Sequence, residues 1–202
     1  FSYDAVLAIS ELDPSVAFWL FLAFFIAFAV KVPMFPFHTW LPDATEQATP
    51  GTSVLLVGIL DKIGTFAMIK FCIGLFPEAS AWVAPFMIAL ALISIIYGAA
   101  AAIASTNLLR LVSYTSVSHF GFMVLGIYVF TTQSINGSVF FMVNHGFSTA
   151  ALFLTVGYLI KRRGSAEVSA FGGVEKVAPV LAGAFLLAAL SALSLPGMST
   201  FV

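Results

Sequence analysis

Long apolar stretches separated by short polar breaks run through most of this 202-residue chain. A helix that crosses a bilayer needs about 20 mostly apolar residues. The pattern predicts such helices at 14–32, 52–76, 79–104, 107–130 and 134–160, with a sixth starting near Val177. The breaks have local reasons. Phe76-Pro77-Glu78 ends the second span, Ser105-Thr106-Asn107 offers a cap to the fourth, and Thr131-Thr132-Gln133 separates the fourth from the fifth. Residues 161–175 (KRRGSAEVSAFGGVE) form the one sizeable polar loop. The expected fold class is all-α: a polytopic membrane protein with about six spanning helices in one membrane core over 14–202, preceded by an extramembrane loop at 1–13.

Two of these helices carry interruptions. KVPMFPFH (31–38) places two prolines just after Lys31, and each proline lacks the N–H that a helix needs. The carbonyls of Ala29 and Val32 therefore lose their helical donors and must find other partners, inside the protein or beside a hydrated cavity. Leu195-Pro196-Gly197 repeats the device in the sixth helix. Interrupted helices in separated positions point to ion pathways in transporters built from inverted repeats. The plainer alternative is that both are ordinary helix ends.

Composition supports the membrane reading. The chain is 61% hydrophobic and 8% charged, whereas a soluble domain carries roughly 25% charged residues. So few charges suit a surface that faces lipid, and the 22 phenylalanines fit lipid contact and helix packing. A net charge of −1 with no basic stripe argues against nucleic acid as a partner. The single cysteine, Cys72, excludes an internal disulfide framework. The chain opens on Phe1 without a charged leader region, so the first span is not a signal peptide, and LPGMSTFV (195–202) stops in an apolar stretch. Both ends are expected to belong to something longer. The small-residue runs at 97–102 (YGAAAA) and 182–184 (AGA) suit close helix approach.

On a six-helix zigzag, Arg110, Lys161, Arg162, Arg163 and Lys176 fall on one side, and Asp4, Glu11, Asp13 and Glu78 on the other. The basic side is expected to be cytoplasmic, or its organellar equivalent. Lys70 goes against the pattern and is expected to snorkel.

The candidate chemistry lies at membrane depth. Lys31 follows sixteen uncharged residues, 15–30. A charge at the bilayer centre costs roughly 2.5–3.5 kcal/mol on insertion scales, so one is rarely kept without use. The alternative is a lysine snorkelling at a helix end. Lys62 sits near the middle of the second span with Asp61 beside it; neighbouring residues point about 100° apart on a helix, so the two do not share a face. A lysine there either exchanges protons or belongs to a structural intramembrane ion pair. His119 lies on a stripe with Ser113 and Ser116, and His145 on another with Ser138, Ser148 and Thr149. Histidine relays protons through either ring nitrogen, although a histidine in a core is commonly a satisfied structural group. Three histidines on three segments show no metal-ligand spacing, and no phosphate loop, nucleophile elbow or dinucleotide fingerprint is present.

Four motifs in order, FAVKVPMFPFHTWLPDA (28–44), SVLLVGILDKIG (53–64), RLVSYTSVSHFGF (110–122) and VNHGFSTAALF (143–153), resemble the antiporter-like membrane subunits of respiratory complex I. They are most like the chain M type of proton-pumping NADH:quinone oxidoreductase. The resemblance implies an inverted-repeat, antiporter-like bundle that translocates protons and does no redox chemistry itself. It places the proton-carrying groups on Lys31, Lys62, His119 and His145; Asp61 and His38, which the resemblance does not assign, are candidate modulators. It also implies no cofactor on this chain, with NADH, flavin, iron–sulfur clusters and quinone in partner subunits of the complex. The expected location is the bacterial plasma membrane, or the mitochondrial inner membrane for an organellar protein. Mrp-type Na⁺/H⁺ antiporter subunits and hydrogenase-linked relatives share the broken lysine helix and remain alternatives, as does a scaffold whose buried charges only pack helices.

The chain departs from the family pattern at three places. Asp61 stands where the family usually has leucine, and the TEQATP run (45–50) replaces the usual turn after the broken helix. Leu109 occupies a position often basic in relatives. The family's glutamate on an earlier helix and its charged residue on the second broken helix have no counterpart in this sequence.

Overall fold

The computed structural model describes residues 2–7 and 13–201, except for the side chains of Asp4 and Ala5; Glu11 of the acidic set lies outside the described residues. The chain forms α1 (Tyr3–Leu7), α2 (Pro14–Lys31), α3 (Trp40–Gln47), α4 (Pro50–Leu55), α5 (Asp61–Ala67), α6 (Pro77–Ala104), α7 (Leu108–Tyr128), α8 (Thr132–Arg163), α9 (Val174–Val177) and α10 (Pro179–Ala192). Helices α2, α6, α7 and α8 are each long and apolar enough to cross a membrane. The other two expected crossings are segmented. Helix α4 continues into α5 through a π-helical turn (Leu56–Leu60), and a second π turn (Met68–Ile73) follows α5. Helix α10 stops at Ala192, and the chain resumes as a 3-10 turn at Ser199–Phe201.

The helix ends follow from their sequences. Asp13 caps α2, its carboxylate accepting from the Ser15 amide at 2.9 Å, and the hydrogen bonds from Ser15 hold its carboxyl below the usual range. Asn107 caps α7 by accepting from the Leu109 and Arg110 amides at 2.9 and 3.3 Å. Thr131 and Ser134 form a reciprocal capping box at the start of α8, and Gly164 closes that helix at a φ of 74°, a left-handed conformation that glycine adopts without a Cβ clash.

Three expectations need correction. Lys161, Arg162 and Arg163 belong to the last turn of α8 rather than to the polar loop, where their charges favour the negative end of the helix dipole. The segment after the broken helix is not a bare turn, because WLPDATEQ forms α3. The small-residue run at 182–184 does not mediate a close approach, since a Cβ at Gly183 would meet nothing within 4 Å. The run at 97–102 does: a Cβ at Gly98 would fall 2.7 Å from the Ser118 amide nitrogen, so α6 and α7 meet backbone to backbone there.

The core lies where α2, α6, α7 and α8 converge, around Phe21, Phe25, Phe120, Met123, Tyr128 and Phe153. Large apolar side chains, among them Trp19, Trp82, Ile103 and Phe147, stand exposed on the exterior.

Candidate functional site

The break after α2 is held by specific substitutes for the lost helical bonds. The Ala29 carbonyl accepts from the Met34 amide at 3.4 Å, and the Val30 carbonyl accepts from the Trp40 indole at 3.0 Å. The Phe35 amide donates to Ser94 Oγ at 3.3 Å, tying the break to α6. All three partners are supplied by protein, as buried non-helical backbone in a membrane requires. The peptide bond between Phe35 and Pro36 is cis.

Lys31 ends α2 immediately before this break. Its Nζ lies 3.7 Å from Asp61 Oδ1, and Asp61 is fully buried while 37% of the Lys31 side chain stays open. The two adjacent residues of α5 point apart, as helical geometry demands. Asp61 faces α2, and Lys62 faces α7 and α8.

Lys62 is enclosed by three partners. Its Nζ lies 2.7 Å from His145 Nδ1, donates to the Val57 carbonyl, and sits 4.9 Å from the centre of the Phe120 ring. The π turn makes the second contact available. The Asp61 amide reaches back five residues to Leu56 O, and Val57 O turns to the lysine ammonium instead. π turns of this kind occur frequently at functional sites.

From Lys62 the polar groups continue inward. His145 Nε2 lies 3.2 Å from Thr149 Oγ1. When the Lys62 ammonium donates to Nδ1, the neutral imidazole carries its own proton on Nε2 and gives it to the threonine oxygen. His119 meets His145 edge to face at 5.1 Å between ring centres. That is a ring contact and not a hydrogen bond, so a proton passing between them needs a water or a ring rotation. His119 also lines a largely apolar cavity of about 420 Å³ together with Ala192 and Leu193, where α10 breaks. Asn144, beside His145, donates to the Ser199 carbonyl at 3.0 Å and fastens α8 to the chain beyond that break.

Thus Lys62, His145 and His119 gather in one place, and Lys31 pairs with Asp61. His38 does not join either group. It is buried against Phe35, Tyr97 and Tyr114 at 5.7, 4.8 and 6.4 Å, and neither ring nitrogen has a hydrogen-bond partner. Arg110 bridges α7 to α3, at 2.5 Å from Asp43 and 2.9 Å from Glu46. Among the described residues no group of three or more His, Cys, Asp or Glu side chains has a metal-binding arrangement.

Sequence reasoning overlooked the Val57 carbonyl, the Phe120 ring and the Gly58–Gly146 contact. The last had a signal in the sequence, because each glycine neighbours a residue of the site. A Cβ at Gly146 would fall 2.9 Å from Gly58 O, so α8 and the π turn approach more closely than any larger residue permits.

The family model for the transmembrane part of NADH:quinone oxidoreductase and Mrp antiporter subunits matches residues 5–202. NADH-quinone oxidoreductase subunit M of Mycobacterium tuberculosis is 52% identical over 190 residues, covering 94% of this chain and 34% of that protein. A chain of respiratory complex I from Thermus thermophilus superposes with a TM-score of 0.93 at 36% identity, over 100% of this chain and 43% of its own. A chain of the Mrp complex from Dietzia sp. superposes with a TM-score of 0.78 at 26% identity, over 85% of this chain and 32% of its own. The present chain therefore spans about a third of the mycobacterial relative's length.

Proposed function

The chain belongs to the NADH:quinone oxidoreductase/Mrp antiporter transmembrane family, and on that premise we propose that it is the core of a proton-translocating subunit of a respiratory NADH:quinone oxidoreductase. The observation that carries this reading is the contact of Lys62 with His145, 2.7 Å apart at membrane depth. An ammonium and an imidazole in hydrogen-bond contact exchange a proton without moving heavy atoms, and a hydroxyl on the far ring nitrogen holds the imidazole in place.

Lys31, Lys62, His145 and His119 are the carriers in this account. Lys31 sits beside the broken end of α2, and His119 leads to the broken end of α10. Quinone reduction elsewhere in the assembly shifts a negative charge toward or away from Lys31, and this biases whether Lys31 keeps its proton. Two ammoniums in one low-dielectric region repel, so loading one favours release from the other. The subunit itself carries out no redox step; NADH, flavin, iron–sulfur clusters and quinone belong to partner subunits, and other membrane subunits of the complex are its neighbours.

A Mrp-type Na⁺/H⁺ antiporter is the second reading, favoured by the resemblance to the Dietzia complex. The experiment that separates them is NADH-driven proton uptake by inverted vesicles carrying Lys62→Met in the intact subunit, with assembly checked on a native gel and sodium varied. The account expects an assembled complex, collapsed uptake, and a wild type indifferent to sodium. Normal uptake by the assembled variant refutes the relay, and a sodium-dependent wild type favours the antiporter.

A further inference from the structure

Asp61 is a buried carboxylate in the membrane core, both of its oxygens lacking a hydrogen-bond partner. Burying a carboxylate without hydrogen bonds is costly and is tolerated in a membrane chiefly beside an opposite charge. Two lysines compete for that role. Lys62, next in sequence, is engaged by His145, Val57 O and the Phe120 ring. Lys31 is the one whose ammonium lies within ion-pair distance, at 3.7 Å.

The helix packing enforces this choice. Gly64, one turn after Asp61, faces the end of α2, where an added Cβ would fall 2.7 Å from Val32 Cγ2 and 3.2 Å from Lys31 Cβ. Only glycine lets α5 lie this close to the break, and the close approach sets the carboxylate against the lysine. With 37% of the Lys31 side chain open, Asp61 is the one carboxylate that the described residues place within ion-pair distance of it.

We infer that Asp61 is a positioning residue for proton transfer: a counter-ion on the neighbouring helix that holds the Lys31 ammonium at the break and controls its release of the proton. This inference rests on the proton-translocating reading and adds to it a short-range link between the broken helix and the Lys62 relay. Charge then alternates along the path, with Lys31 and Lys62 flanking Asp61, and the carboxylate screens the repulsion between the two ammoniums. The charged groups that act on Asp61 are Lys31 from α2 and Lys62 on its own helix. When Lys31 gives up its proton, Asp61 loses its partner, so the pair passes through a strained, short-lived state and not a resting one.

The test is proton uptake per assembled complex in inverted vesicles, comparing Asp61→Asn, Asp61→Leu and Asp61→Glu with Lys31→Met in parallel. Asparagine preserves shape without charge. Leucine is the apolar substitute should the amide fail to assemble. Glutamate restores a carboxylate. The inference expects uptake per complex to fall severalfold in the asparagine and leucine variants and to recover with glutamate, while assembly stays near wild type. A merely structural Asp61 would lower the amount of complex and leave uptake per complex unchanged, which overturns the inference. So does glutamate performing no better than asparagine. Should Lys31→Met abolish uptake while Asp61→Asn and Asp61→Leu pump normally, the inference falls and the translocation reading stands. Should Lys31→Met itself pump normally, Lys31 is no carrier and the inference falls, while the Lys62–His145 relay stands or falls on Lys62→Met.

Discussion

Replacing Gly146 with alanine tests whether the Lys62–His145 contact depends on helix approach. A Cβ there would lie 2.9 Å from the Gly58 carbonyl oxygen, while ordinary contacts of this kind begin near 3.4 Å. Helix α8 must therefore withdraw from the π turn by about half an ångström, and overpacking of this sort costs about 1–3 kcal/mol. The same withdrawal stretches the 2.7 Å contact between Lys62 Nζ and His145 Nδ1 toward about 3.2 Å, the long end of a hydrogen bond. The reciprocal change is expected to be benign. A Cβ at Gly58 would sit 3.5 Å from Gly146 O, an ordinary contact, and alanine is the better helix former by about 1 kcal/mol. The assay is thermal melting of the subunit in the purified complex, together with proton uptake per assembled complex. The expected pattern is asymmetric: Gly146→Ala melts lower and pumps less, and Gly58→Ala does neither. Equal damage from both, or none from either, would refute the packing argument.

Arg110→Gln removes a bridge that reaches solvent, with 68% of the Asp43 and 32% of the Glu46 side chain exposed. The loss is expected to stay at about 1 kcal/mol or below, visible as a small drop in melting temperature with uptake per complex unchanged. Asp13 is expected to release the start of α2 in acid. Its carboxyl is held below the unfolded value, so its stabilising effect is present above that value and is lost as the pH falls through the folded one. Amide protection factors at Ser15 and Val16, taken relative to the intrinsic exchange rate at each pH, should then fall toward acid in the wild type and be already low at neutral pH in Asp13→Ala. His145→Leu leaves the Lys62 ammonium with one hydrogen-bond partner fewer, so uptake per complex is expected to fall with assembly retained; uptake at the wild-type level would contradict a role for the imidazole.

The spans and caps were readable because their causes are local. Apolar runs of bilayer length and Asn107 before α7 act over a few residues, whereas Thr131 reads in the sequence as a break and not as the cap of α8. The interruption at Lys31 was readable because proline removes a donor wherever it stands. Features set by tertiary contact were not. Helix α3 has a short and mostly polar sequence, and it is held in place by Arg110 on Asp43 and Glu46 and by the Thr45–Ser113 hydroxyl contact. The π turn at Leu56–Leu60 leaves no signature in VLLVGILDKIG (54–64); it lies where α8 approaches Gly58. Sequence showed that Asp61 and Lys62, though adjacent, do not share a helix face. Which distant residue Asp61 would meet was not readable, because it depended on how α5 lies against α2.

The central claim is that Lys31 carries protons, and Lys31→Met tests it most directly. Inverted vesicles energised with NADH would report proton uptake by the assembled variant complex, with assembly verified on a native gel. The account predicts an assembled complex in which uptake collapses. An assembled complex that takes up protons as the wild type does would contradict it and leave Lys31 a structural charge.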